Sequence, residues 1–196
     1  MDERKGNQKS ENFERVMSTT LSLIANRGPD KVTISGVARL SKVSRAWIYK
    51  YIGSSREHLI RGATLYIGKN FSELVARPTA RNMDELVASL QWGNRRFIEN
   101  LKSYPWIPIL FFKFGPGKNL LGSTIREVQK SYIHILASEL TLALPHKKKE
   151  AVQFAGLYTS MRMGAAHWWI SELSSLGDAS EALFLQKLDA LVALLA

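Results

Sequence analysis

The sequence predicts an all-α protein: an N-terminal three-helix domain carrying a helix-turn-helix, followed by a larger C-terminal helical domain. Three observations predict this. Apolar residues recur at helical spacing from Phe13 onward, and no run of period-two alternation lies between turn signals. Glycine and proline punctuate the chain at intervals that leave segments of helical length. Between Thr33 and Ile52, two short segments with Thr or Ser at their starts are separated by only a few residues.

The elements follow in order. Residues 1–12, MDERKGNQKSEN, are polar and mixed in charge and read as a flexible tail. Phe13, Val16, Met17, Thr20, Leu21 and Ile24 form one stripe of a first helix, which Gly28-Pro29 ends. Thr33 is placed to cap a second helix carrying Ile34, Val37 and Ala38. After the turn Ser41-Lys42-Val43, Ser44 caps a third helix from Arg45 to about Tyr51. Gly53-Ser54-Ser55 breaks the chain, and one of the two serines caps a fourth helix reaching about Val75. Arg77-Pro78-Thr79 is a candidate boundary, and further helices are expected at about 82–103, 105–113, 120–143, 149–174 and 179–195. The expected organisation is a tail at 1–12, a helix-turn-helix domain at 13–60 and a dimerisation and possible ligand-binding domain at 61–196.

Charge points to a polyanion. The 196 residues carry a net charge of +10. Residues 1–60 hold 11 Lys and Arg against 6 Asp and Glu, so the first third of the chain carries half the excess. Residues 31–56 contain Lys31, Arg39, Lys42, Arg45, Lys50 and Arg56 and no acid. A solvated basic face is the bland alternative for that window. The chain has no cysteine, which excludes disulfides, thiolate metal sites and cysteine nucleophiles and fits a cytoplasmic setting. No signal peptide and no apolar run near the ~20 residues of a membrane span is visible. Catalytic signatures are missing too: no GxSxG, no metal-binding His/Glu spacing, and Gly115-Pro116-Gly117-Lys118 lacks the phosphate-loop pattern. The expectation is no enzyme, no cofactor and no metal.

A recognition helix must pack with one face and read DNA with the other. In the third helix Val43, Ile48 and Ile52 are placed to pack, and Arg45, Ala46, Trp47 and Lys50 fall on the other side. Arg45 can donate two parallel hydrogen bonds to a guanine edge, and the small Ala46 permits close approach. Ser44, Tyr49, Tyr51 and Thr33 carry hydroxyls suited to phosphate oxygens. Thr33 can equally be only a cap, Tyr49 only a core aromatic, and Trp47 can fold back onto the domain.

Residues 13–60 resemble the DNA-binding domain of the tetracycline repressor (TetR) family. The resemblance lies in Thr33-Ile34-Ser35-Gly36-Val37-Ala38, in Val43-Ser44-Arg45-Ala46-Trp47-Ile48-Tyr49-Lys50-Tyr51-Ile52-Gly53-Ser54, and in Asn26-Arg27-Gly28 at the end of the first helix. It implies phosphate contact at Thr33, base proximity for Ser44, Arg45, Trp47 and Lys50, backbone contact for Tyr49 and Tyr51, and a phosphate contact by Arg56. Three departures stand out. Lys42 occupies the turn position usually held by Gly, where it can itself reach a phosphate. Ile52 replaces the usual Phe, and the segment leading to Arg56 is one residue longer than usual.

The resemblance also implies a homodimer on a pseudo-palindromic duplex operator and a small-molecule effector that weakens DNA binding. Independently, Leu183, Phe184, Leu188, Leu191, Val192 and Leu195 make an apolar band too wide for a lone surface helix, which points to a dimer through the two C-terminal helices unless it is buried within the chain. Trp92, Phe97, Trp106, Phe111, Tyr132 and Tyr158 are candidate pocket aromatics for a largely apolar ligand, with core packing as the alternative. The reading is a sequence-specific transcription regulator, a repressor released by ligand. Its alternatives are a ligand-independent regulator or activator, and a helical interaction protein with only non-specific DNA binding.

Overall fold

The computed structural model describes residues 3–74, 80–176 and 179–193, and among them every regular element is helical. The helices are α1 (Glu3–Arg27), α2 (Ile34–Ser41), α3 (Arg45–Tyr51), α4 (Arg56–Leu74), α5 (Met83–Ser103), α6 (Trp106–Phe114), α7 (Leu120–Ala143), α8 (Ala151–Leu176) and α9 (Ala179–Ala193). Single 3-10 turns lie at Pro29–Lys31 and Pro145–Lys147. No helix of the described residues is long and apolar enough to cross a membrane.

Capping side chains set several of the starts. Thr33 Oγ1 accepts from Gly36 N at 3.0 Å and Ser44 Oγ from Trp47 N at 3.2 Å. Ser55, rather than Ser54, takes the N–H of His58 at 3.3 Å. Asn82 and Glu85 form a reciprocal box: Glu85 N donates to Asn82 Oδ1 at 2.9 Å, and Arg81 N donates to Glu85 Oε2 at 2.8 Å. The bonds from Gly36, Trp47, His58 and Glu85 each satisfy an N–H that the helix itself leaves without a partner.

The tail reading of residues 1–12 is corrected. Residues 3–12 continue α1, which therefore begins ten residues before its apolar stripe. Residues 7–11 are exposed, and an apolar periodicity cannot report such a stretch of helix. Here the turns are held by polar neighbours, with Gln8 and Arg15 both donating to Asn12 Oδ1. The candidate boundary Arg77-Pro78-Thr79 lies outside the described residues, as do Gly177 and Asp178 between the last two expected helices. The run from His146 to Lys149 is exposed and precedes α8, which starts only at Ala151.

The chain divides into two compact units, one of residues 1–71 with 109–127 and the other of 72–108 with 128–196. The division differs from a cut at residue 60, because most of α4 and the segment 109–127 belong with the helix-turn-helix. In the first unit Val16, Met17, Leu21, Ile24, Val37, Ile48, Leu59, Ala63, Leu121 and Ile125 are buried. Lys113 Nζ of α6 donates to the carbonyl of Ala25 in α1 at 3.3 Å, which ties the later segment to the first helix. A Cβ at Gly62 would lie 3.1 Å from Met17 Sδ, so α1 and α4 pack closely there.

The second unit holds two apolar clusters. One gathers Leu86, Leu90, Leu136, Leu140, Ala155, Tyr158 and Val192. The other gathers Ile98, Leu101, Ala166, Trp169, Phe184 and Leu188, with Trp169 and Phe184 stacked at 5.2 Å. The expected α9 band is thus largely used within the subunit: Phe184, Leu188 and Val192 are buried and Leu183 is exposed, while Leu191 and Leu195 lie outside the described side chains.

Candidate nucleic-acid interface

Helix α3 is seven residues long and held from both ends. The Ser44 cap fixes its first turn, and Val43 and Ile48 are buried beneath it. With Ile48 inward, Arg45, Ala46, Tyr49 and Lys50 occupy an arc of about 140° facing away from it. All four are exposed, Tyr49 to 50 %. This resolves the alternative for Tyr49, which is a surface residue rather than a core one.

The turn before α3 adopts the conformation that its usual glycine would favour. Lys42 has φ 56° and ψ 32°, the left-handed region, and its N–H reaches the carbonyl of Ala38. The strain keeps an exposed cation at the head of α3. After α3, Gly53 has φ 138°, and a Cβ there would meet His58 Cγ at 2.5 Å and Cβ at 2.8 Å. Only glycine fits this join to α4.

Aromatic packing differs from the simplest expectation. Trp47 is half-buried, because its ring lies against Tyr51 one turn on, 4.8 Å between centroids. Tyr51 in turn carries Lys50 Nζ at 5.1 Å and Lys9 Nζ at 4.9 Å from its ring centre. Lys9 comes from the part of α1 read as tail, so the sequence reading missed it. Its signal would have been helix continuity through residues 3–12.

Thr33 is both exposed and a working cap: its oxygen accepts from Gly36, and its hydroxyl proton remains available to an outside acceptor. Arg56 is exposed but has acidic neighbours, with Nη1 3.8 Å from Asp30 Oδ1 and Nε 3.5 Å from Glu57 Oε1. The Glu57 carboxyl sits below its ordinary range, chiefly through its own backbone N–H and then through the Ser55 hydroxyl, so it is charged at neutral pH. Arg56 is therefore a partly neutralised cation, whereas among the described residues no acid pairs with Arg45, Lys42 or Lys50.

The six candidate pocket aromatics differ in exposure and in the compact unit to which they belong. Trp92 is 41 % exposed with Arg96 over its ring, Trp106 is buried, and Phe111 belongs to the other compact unit from the remaining five. Phe97 and Tyr132 do come together, around Arg162, whose guanidinium carbon is 4.0 Å and 5.9 Å from their ring centres. Tyr158 is buried and donates to Asn94 Oδ1 at 2.6 Å. Arg162 and Asn94 were not singled out from the sequence, although each interrupts an apolar stripe: Leu90-Asn94-Ile98 in α5 and Tyr158-Arg162-Ala166 in α8.

Two short helices in this arrangement, with an exposed acid-free α3 face, define a helix-turn-helix domain. The all-helical fold of the described residues is similar to that of solved TetR-family transcriptional regulators. The chain is similar to a TetR-family transcriptional regulator from Streptomyces coelicolor (TM-score 0.66, 20 % identity, 95 % of this chain and 82 % of that one). It is similar as well to the fatty acid degradation regulator FadR from Bacillus halodurans (TM-score 0.69, 14 % identity, 92 % and 94 %). A third similar structure is FadR from Bacillus subtilis in complex with stearoyl-CoA (TM-score 0.64, 14 % identity, 93 % and 97 %). No protein-family model and no curated protein matches the sequence.

Proposed function

We propose that the chain is a dimeric, sequence-specific DNA-binding transcription regulator, a repressor released by a small, largely apolar ligand. One observation carries the proposal: α3 exposes Arg45, Ala46, Tyr49 and Lys50 together, in a stretch without acids, on a helix held from beneath by Val43 and Ile48. Arg45 and Lys50 read base edges, and Ala46 lets the helix approach them. Thr33, Lys42, Ser44, Tyr49 and Tyr51 hold phosphates and fix the register. Trp47 braces Tyr51 and has the smaller share of the groove. Arg56, tethered to Asp30 and Glu57, contributes least.

Dimerisation is supported by the unpaired side of α8. Leu157, Met161, Gly164 and Trp168 lie within about 60° of one another at 100° per residue, away from the buried Ala155, Tyr158, Arg162 and Trp169. Leu157, Met161 and Trp168 are exposed, and a Cβ at Gly164 would meet nothing within 4 Å. A second copy packed on this stripe and on Leu183 of α9 would supply the second recognition helix that a two-fold operator requires. The ligand reading draws on the solved complex of a protein of the same fold with stearoyl-CoA.

Selection from a random duplex pool, with wild type and Arg45→Ala, tests the proposal. An enriched inverted repeat that relaxes at one base of each half-site in the variant is the expected result. Weak, salt-sensitive binding without enrichment in both proteins refutes sequence-specific recognition by the free protein.

A further inference from the structure

We infer that Arg162 is an anion receptor inside the C-terminal unit, and that the ligand it takes is an apolar monocarboxylate. The inference rests on the effector reading above and gives it a chemical class. Between Ala151 and Ile170, Arg162 is the sole Asp, Glu, Lys or Arg in α8, and it lies on the helix's buried face. Its residue exposure is 9 %. The Nη1 group donates to Tyr132 Oη at 2.7 Å, Nη2 donates to the Gly93 carbonyl at 2.9 Å, and Nε is buried with no acceptor. One face of the guanidinium stacks on Phe97.

Every acceptor is therefore neutral. Among the described residues no carboxylate lies within 4.0 Å of the guanidinium. The carboxylate of the adjoining network, Asp189, accepts from Asn94 Nδ2 at 3.2 Å, and Asn94 Oδ1 takes the Tyr158 hydroxyl. A buried cation with no carboxylate of the described residues within 4.0 Å is costly, and an arginine cannot discharge the cost by losing its proton. An incoming anion would remove that cost and occupy the vacant Nε–H.

The chemistry selects the anion. The Nε–H and a neighbouring Nη–H form a planar fork that matches the two oxygens of a carboxylate. One guanidinium balances one negative charge, whereas a phosphate monoester brings nearly two. The aromatic surroundings of Phe97 and Tyr132, with Trp169 and Phe184 in the cluster against which Phe97 packs, suit an apolar body behind that head group.

The test uses the full chain and two matched pairs of probes: octanoate with octanamide, and 1-naphthoate with 1-naphthamide. Binding is read by calorimetry and by the shift in melting temperature. At least one acid is expected to bind about tenfold to a hundredfold more tightly than its amide, the range for a charge-assisted hydrogen bond. Arg162→Gln should erase that preference while leaving amide binding nearly unchanged, and Tyr132→Phe, which keeps the charge, should retain it. If Arg162→Gln does not fold, the acid–amide ratio in wild type still decides. Equal binding of acid and amide, or no binding of either acid, overturns the inference. The selection of wild type against the random duplex pool separates the two proposals. DNA binding without an acid preference defeats the receptor alone, and an acid preference without DNA binding defeats the regulator reading alone.

Discussion

Lys42→Gly should make the protein more stable and a weaker DNA binder. The lysine sits at φ 56°, where a residue with a Cβ pays roughly 1–2 kcal/mol relative to the right-handed region. Glycine removes that strain but returns about 0.4–1 kcal/mol to the unfolded chain through its greater freedom. The net gain is about 0.5–1 kcal/mol. Urea unfolding at fixed protein concentration measures it, since the stability of the proposed dimer would depend on concentration. The same substitution deletes an exposed cation at the head of α3. If that cation holds one phosphate on each half-site, two counterions fewer are released per dimer, and the slope of log K against log salt becomes shallower by about 1.8. A loss of stability above about 0.5 kcal/mol would show that the lysine side chain makes a stabilising contact that this reasoning omits. An unchanged salt slope would refute the phosphate contact and leave the turn as a purely conformational feature.

Four further outcomes are expected. Gly53→Ala should destabilise by about 1–3 kcal/mol, because the added Cβ meets both a positive φ and the root of the His58 side chain; a change below about 0.5 kcal/mol in urea unfolding would refute the strain. Ser44→Ala should cost about 1 kcal/mol through the lost cap on Trp47 N and weaken operator binding, and Ser44→Asp should recover the stability but not the binding, since Asp caps but repels phosphate; both are read by unfolding and gel shift, and equal operator binding by Asp and Ser would refute the phosphate contact. Met161→Glu should turn a dimer into a monomer in light scattering and abolish operator binding while far-ultraviolet dichroism stays helical, whereas a dimer that survives would exclude this stripe as the interface. Tyr158→Phe should cost about 1–3 kcal/mol in urea unfolding by leaving the buried Asn94 oxygen without its hydroxyl donor; near-neutrality would mean that the oxygen finds another donor.

The sequence carried the helix-turn-helix because each of its parts is local. Thr33 and Ser44 act on N–H groups three residues away, and Lys42 sets its own backbone. Val43 and Ile48 are apolar on a helix too short to bury more. What escaped the reading was non-local or lacked an apolar face. Residues 7–11 of α1 are exposed and give periodicity nothing to register, so residues 3–12 passed for a tail although Lys9 lies over Tyr51. Trp47 looked exposed on a helical wheel, yet its ring is wide enough to reach Tyr51 along the axis. The six aromatics stayed candidates with core packing as the alternative, because composition cannot tell a side chain that faces a cavity from one that fills the core. Arg56 kept its charge on paper, and Asp30, 26 residues away in sequence, takes part of it.

The cations of this chain divide by environment, and salt tells the two groups apart. Arg45, Lys42 and Lys50 are exposed, so any anion they meet competes with counterions at a Debye length of about 10 Å in 0.1 M salt. Arg162 is nine-tenths buried, and a charge partner beside it would be screened far less. Raising salt from about 0.05 to 0.3 M should therefore lower operator affinity by orders of magnitude and barely change the preference for a carboxylate over its amide. The two effects can be read from one preparation by titrating labelled operator and then the acid–amide pair. Parallel losses would place both sets of cations at the surface and contradict the burial of Arg162. Divergent losses would show that the chain treats one kind of side chain in two ways, hydrated where it must release DNA and desolvated where it must discriminate a charged ligand from a neutral one.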